Sequence, residues 1–156
     1  MRGGWLRSRL SFLALLLLPL PVLSAPLTHW QDDLGKSWQV PVQLPERWVV
    51  LGPHLVDMML ALGARDRIVG VQDDHPQPGR WQTSLSGLPV VGQSGLINEE
   101  RLRLARPDLI VFWPTGLSVT QRDRLRRQGI ALLAIEPRKL ADIPERLRWL
   151  GALAGK

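Results

Sequence analysis

The chain has 156 residues, 45% hydrophobic and 22% charged, the proportions of one globular domain with a proper core. Its formal net charge is +6, but three arginines lie in the first 24 residues, and without that segment the charge is +3, too modest to argue for nucleic acid as a partner. There is no cysteine, which excludes disulfides, thiolate chemistry and a lipid-anchored cysteine.

The amino terminus reads as a secretory signal over residues 1–24. "MRGGWLRSR" is basic, "LSFLALLLLPLPVL" is apolar but short for a bilayer span of roughly 20 residues, and "SAP" supplies small residues. Cleavage after Ser24 is favoured over Ala25, because Pro26 would otherwise sit just past the cut. The expectation is an exported, periplasmic protein without a lipid anchor. Residues 28–45 read as a short hairpin turning at Asp33-Leu34-Gly35-Lys36, with Pro41 and Pro45 confining it to an edge.

From there strands and helices alternate. "RWVVL" (47–51) is a strand, and "LVDMMLALG" (55–63) is a helix stopped by Gly63. "RIVGV" (67–71) is a second strand, followed by a long polar loop, 72–87, of the kind that carries function. "LPVVGQ" (88–93) is a third strand. Asn98 caps a helix to Ala105 with Glu99 and Glu100 in its first turn. "DLIVFW" (108–113) is the fourth strand. Ser118 and Gln121 form a capping box for a helix ending at Gln128 and Gly129. "IALLAI" (130–135) is the fifth strand, and a last helix opens at Ala141 or Asp142 with Pro144 in its first turn.

This alternation predicts an α/β fold, a parallel sheet flanked by helices on both faces with a short N-terminal hairpin. Ligands of such sheets bind outside the carboxyl ends of the strands. Those ends carry Pro53 and His54; Asp73, Asp74 and His75; Gln93 and Ser94; Trp113, Pro114 and Thr115; and Glu136, Pro137 and Arg138. Trp113 can be core or can face a ligand, and its place at a strand end leans toward the ligand. Seven Trp against two Phe and no Tyr suggest stacking on ligands or partners, with compositional drift as the alternative.

Other chemistry is missing. "GLPVVGQSG" has neither phosphate-loop nor dinucleotide spacing, and no GxSxG elbow occurs. Contiguous Asp73, Asp74 and His75 rarely all reach one ion, so no metal site is expected. His54, at a strand-to-helix turn, reads as a hydrogen-bonding group. "RDRLRRQ" (122–128) is most simply a solvated helix face. Glu99 and Glu100 either stabilise a helix start or offer an acidic tip to a basic partner.

Four blocks, "DDLGKSWQVP", "RWVVLGPHLVDMMLALGARDRIVGV", "LPVVGQSGLINEERLRLARPDLIVFWPTG" and "GIALLAIEPRKLADIPERLRWLGALAG", resemble the periplasmic solute-binding proteins of cobalamin, haem and ferric-siderophore ABC importers. "ARPDLIVFWPTG" looks most like the cobalamin-binding branch. The resemblance implies a binding protein rather than an enzyme, with no cofactor of its own. It implies a corrinoid-type small-molecule ligand, packed on Trp113, and a membrane permease as partner, met by Glu100. Pro53, His54, Asp74, His75, Gln93, Ser94 and Pro114 are the other candidate ligand contacts. This chain has no Tyr in the loop after its second strand, and "QSG" stands where that branch carries a Trp. Haem would favour an axial Tyr or His, for which His75 is the strand-end candidate; an anionic siderophore would favour Arg138. A small secreted enzyme would need a nucleophile–base pair that the sequence does not offer.

The family has two lobes joined by a long helix. The resemblance therefore divides the chain into a signal (1–24), an amino-terminal lobe (25–140) and the start of the joining helix (141–156), a truncated or half-length protein. A single lobe is expected to bind weakly, in roughly the micromolar-to-millimolar range. Its last helix is expected to leave Leu147, Leu150 and Leu153 partly exposed and prone to self-association.

Overall fold

The computed structural model describes residues 28–72, 83–93 and 95–156; residues 1–24, read above as a signal, and Asp73, Asp74, His75 and Ser94 lie outside them. β1 (His29–Gln31) and β2 (Ser37–Gln39) form an antiparallel hairpin. The main sheet contains β3 (Trp48–Leu51), β4 (Ile68–Gln72), β5 (Val90–Gln93), β6 (Leu96–Ile97), β7 (Leu109–Phe112) and β8 (Ala131–Ala134). Their order is β6-β5-β4-β3-β7-β8, parallel throughout except for β6. The five parallel strands are those predicted; β6 is an addition. Its turn back onto β5 needs Gly92, where a Cβ would stand 2.7 Å from the Leu96 carbonyl oxygen.

The helices are α1 (Pro53–Ala61), α2 (Glu99–Ala105), α3 (Val119–Arg127) and α4 (Ile143–Ala154). Most of their ends follow the predicted signals, but α1 starts two residues earlier than expected, at Pro53. Asn98 accepts the Arg101 amide at 2.9 Å. Ser118 and Gln121 make both bonds of a capping box, at 3.2 and 2.8 Å, and Gly63 and Gly129 take left-handed conformations.

Alternate residues of β3 enter opposite cores. Trp48 and Val50 join Leu55, Val56, Met59, Leu150 and Leu153 under α1 and α4. Val49 and Leu51 join Leu102, Leu117 and Leu125 under α2 and α3. The sheet is thus covered on both faces, and its central strand is buried from both sides, as parallel sheets require.

Three expectations need correction. The hairpin is not an edge of the main sheet but a separate two-stranded unit set against it. Its turn starts at Asp32, whose carbonyl accepts the Gly35 amide at 2.8 Å. Leu150 and Leu153 are fully buried, and Leu147 is half-buried against the same core; α4 completes the core instead of offering a sticky face, which removes the reason to expect self-association through it. Among the described residues the tryptophans are mostly structural. Trp30 stacks on Trp38 and on Trp149, with ring centroids 6.2 and 6.1 Å apart. Lys36 and Arg146 lie over the outer members of that stack, and Trp48 is buried with its indole N–H on the Pro45 carbonyl. The stack fastens the hairpin to α4.

Candidate functional site

The strand order reverses at the centre of the sheet. From β3 the chain passes through α1 to β4 on one side; from β7 it passes through α3 to β8 on the other. β3 and β7 stay paired to their last residues, Leu51 and Phe112, but the chain beyond them leaves in opposite directions, and the crevice between such connections is the usual place for a ligand in an open parallel sheet. Gly52, Pro53 and His54 follow β3 on one side of it, and Trp113 and Pro114 follow β7 on the other.

Gly52 shapes the β3 side. Its φ of +133° is closed to L side chains, and a Cβ there would meet the His54 ring at 3.3 Å. Pro53 follows at the first helical position of α1, where its missing N–H costs nothing. His54 is half-buried, and that burial lowers its pKa from 6.5, against a smaller upward pull from Asp57. The imidazole is neutral at pH 7.

Trp113 stands just beyond β7. Its neighbour Phe112 is buried in the core, but Trp113 is 44% exposed, which excludes the core reading of this residue. Its ring meets His54 edge-on, with centroids 6.0 Å apart and planes at 90°. Its indole N–H donates to Glu136 Oε1 at 3.1 Å. Glu136 lies just past the end of β8, the neighbour of β7. The other oxygen of Glu136 accepts from Arg138 Nε and Nη2 at 3.1 and 2.8 Å. These bonds from Arg138 and Trp113 hold the carboxyl below the usual carboxylate range, so it is ionised throughout the neutral range.

The hairpin supports this end of the sheet. Buried Asp32 accepts bonds from the amides of Leu34, Lys36 and Ala134 and from the Trp38 indole. Asp33 accepts the Glu136 amide at 2.7 Å and pairs with Arg146 of α4. Sequence reasoning placed Glu136 and Arg138 at a strand end but did not connect them to Trp113; the clue is that their strand is the neighbour of its own. The link from Asp32 to the sheet carries no local signal, because its partner Ala134 is 102 residues away.

The predicted contacts thus divide. His54 and Trp113 meet ring to ring, with Pro53 and Pro114 beside them in the chain. Gln93 is exposed at the end of β5, three strand spacings from β7, or about 14 Å. Asp74, His75 and Ser94 fall outside the described residues. Glu100 is exposed in the first turn of α2, while Glu99 pairs with Arg124 of α3. That pair bridges a narrow cleft between α2 and α3, lined by Leu102 and Leu125. Among the described residues no cluster of side chains could hold a metal ion.

No family model matches the chain. It is similar to a vitamin B12-binding protein of Pectobacterium carotovorum, with 30% identity over 109 residues, 69% of this chain and 37% of that protein. Among solved structures it is similar to a periplasmic vitamin B12-binding protein of Vibrio cholerae, at 26% identity and a TM-score of 0.56 over 71% of this chain and 44% of that one. A periplasmic heme-binding protein of Pseudomonas aeruginosa is equally similar, at 26% identity and a TM-score of 0.57 over 70% of this chain and 39% of that one. The chain therefore spans well under half the length of the proteins it resembles. The expected resemblance to periplasmic solute-binding proteins holds, as does the expected fold of one lobe of that two-lobed type. These relatives are named for binding, not for catalysis.

Proposed function

We propose that this chain is a ligand-binding lobe of a periplasmic import system, and that it takes a flat macrocycle of the corrinoid class against Trp113. One observation carries the reading. A half-exposed indole stands at the switch point of the sheet, steadied by Glu136 on one side and by His54 on the other. A flat, partly desolvated aromatic face beside a few polar groups is what a macrocyclic ligand needs. The similarity to vitamin B12-binding proteins supports the corrinoid class. If Gln93 also contacts the ligand, the distance between the two strand ends calls for a large one. Pro53 and Pro114 would then bound the crevice with backbone that needs no N–H partner. Asp74, His75 and Ser94 follow strand ends of the same sheet and are proposed as further contacts.

Haem is the second reading. It is favoured by the similarity to the Pseudomonas aeruginosa protein and by His54, a neutral imidazole beside the stacking ring, the form that can ligate iron. In either reading the exposed Glu100 is proposed to meet a basic surface of the membrane permease, and residues 1–24 are proposed to direct export to the periplasm.

Titration of the purified chain with cyanocobalamin and with haemin, followed by visible absorption and calorimetry, tests the proposal. The face around Trp113 is open, so a dissociation constant in the micromolar-to-millimolar range is expected, on the order of −4 to −8 kcal/mol. Trp113→Ala should weaken the preferred ligand roughly 5- to 150-fold, about 1–3 kcal/mol. Absence of binding to both probes at millimolar concentration, or binding that ignores the substitution, would refute it.

A further inference from the structure

We propose that Glu136 is a positioning residue whose carboxylate holds the Trp113 indole in the attitude in which its ring meets the ligand. The proposal rests on the reading of Trp113 as the stacking ring. A tryptophan that is 44% exposed has room to turn about both side-chain torsions, and a ring that must be ordered on binding weakens the complex. Here the ring is ordered beforehand. Its single donor is taken by Glu136 Oε1 at 3.1 Å. The same carboxylate is itself fixed, because Oε2 accepts two bonds from Arg138. Its backbone is fixed as well, because the Glu136 amide donates to Asp33. Asp33 in turn is paired with Arg146 on α4.

A continuous line of charge-assisted contacts thus runs from α4 through the hairpin turn and the end of β8 to the indole N–H. Such bonds are shorter and stronger than neutral ones. On the opposite side the His54 ring meets the tryptophan at 90°. The indole is held from two neighbouring strands at once, and a flat ligand finds the ring already set. The carboxylate does not need to touch the ligand; it acts through Trp113.

The test uses the purified chain with cyanocobalamin and haemin as probes. Glu136→Ala should weaken the bound probe about 3- to 10-fold, as loss of one charge-assisted bond at a half-exposed site does. Glu136→Gln keeps an acceptor for the indole and should stay within about twofold. In a Trp113→Phe background, which has a flat ring but no N–H, Glu136→Ala should change affinity no further. The Trp113 indole 1H–15N resonance, assigned by its loss in Trp113→Phe, should move in Glu136→Ala and hold in Glu136→Gln. Thermal melting confirms that each variant folds; should Glu136→Ala not fold, the same comparison is made with Glu136→Met. If Glu136→Ala weakens binding equally in both backgrounds, or leaves binding and the indole resonance unmoved, the positioning role is overturned. If Trp113→Ala leaves both probes unaffected, the stacking reading itself falls, and the proposal with it. If Trp113→Ala weakens binding but Glu136→Ala does not, the positioning role alone falls.

Discussion

Asp32 is the strongest single point at which the hairpin can be detached from the sheet. Its side chain accepts from the amides of Leu34 and Lys36 at 3.0 and 2.9 Å, from the Trp38 indole at 3.1 Å and from the Ala134 amide at 3.3 Å. The residue is only 6% exposed. Asp32→Ala removes both acceptor oxygens and with them all four bonds. The Leu34 and Lys36 amides lie in an open turn and can rehydrate, so each loses only part of a bond. The Ala134 amide is buried and bears its full desolvation penalty, about 1–3 kcal/mol. Adding a fraction of a charge-assisted bond for each of the others, about 1 kcal/mol apiece or less, sets the expected loss at about 3–4 kcal/mol. Asp32→Asn keeps the shape but turns one acceptor into a donor facing donors, and about 2 kcal/mol is expected. Urea unfolding followed by far-ultraviolet circular dichroism measures both, and equal slopes confirm that the compared states are the same. A loss below about 1 kcal/mol in Asp32→Ala would show that the Trp30–Trp38–Trp149 stack alone holds the hairpin.

Gly52→Ala should destabilise the chain by about 1–3 kcal/mol, since it forces an L residue to φ +133° and presses a Cβ on His54; thermal melting reads the loss, and an unchanged melting point would contradict the geometry. Leu150→Ala should cost about 2–5 kcal/mol without changing the elution volume on size exclusion, since Leu150 is core; a gain in monomer content instead would return α4 to an exposed face. Burial lowers the pKa of His54, so the folded chain binds that proton less tightly than the unfolded one. The stability this confers is full above about pH 6.5 and is lost as pH falls from there toward the folded-state value. His54→Gln should flatten the fall in melting temperature over that window, and a His54 ring resonance titrating at or above 6.5 would contradict it. Glu100→Arg should leave ligand affinity unchanged and slow uptake in a reconstituted importer by setting like charge against a basic permease; uptake at the parental rate would end the docking reading.

What was legible in the sequence had local causes. Five apolar runs became five parallel strands, because burial on both faces leaves a continuous apolar signal. Asn98, Ser118 with Gln121, and Gly129 marked helix ends, since a cap is made by residues a turn apart. The rule that ligands sit at strand ends places His54 and Trp113 among the residues on one rim of the sheet. The rest had distant causes. That β7 and β8 are neighbours decides that Glu136 reaches Trp113, and strand order is not written in any window of ten residues. β6 has two residues, too few to show a period. From the sequence α4 reads as a helix with an unpaired face, because its apolar positions have partners far away in the chain; Trp30 of the hairpin stacks on Trp149, and Leu150 and Leu153 share one core with Leu55 of α1. The aromatic surplus pointed outward for the same reason. Composition counts rings but does not say which of them face one another.

A parallel sheet of this kind has two open margins, and an unpaired strand margin invites another chain to add to it. At one margin the outward amide and carbonyl of Ala134 are both occupied, by Asp32 and by the Asp33 amide, and alternation leaves Leu132 as the strand's other outward position. At the opposite margin β6 runs against the direction of the sheet and ends after two residues. An incoming strand would find no long, flat row of backbone groups on either side. The hairpin turn that supports the crevice therefore also guards the protein against intermolecular strand addition, and Asp32 variants should form thioflavin-positive aggregates sooner than the parent chain under mild denaturing conditions.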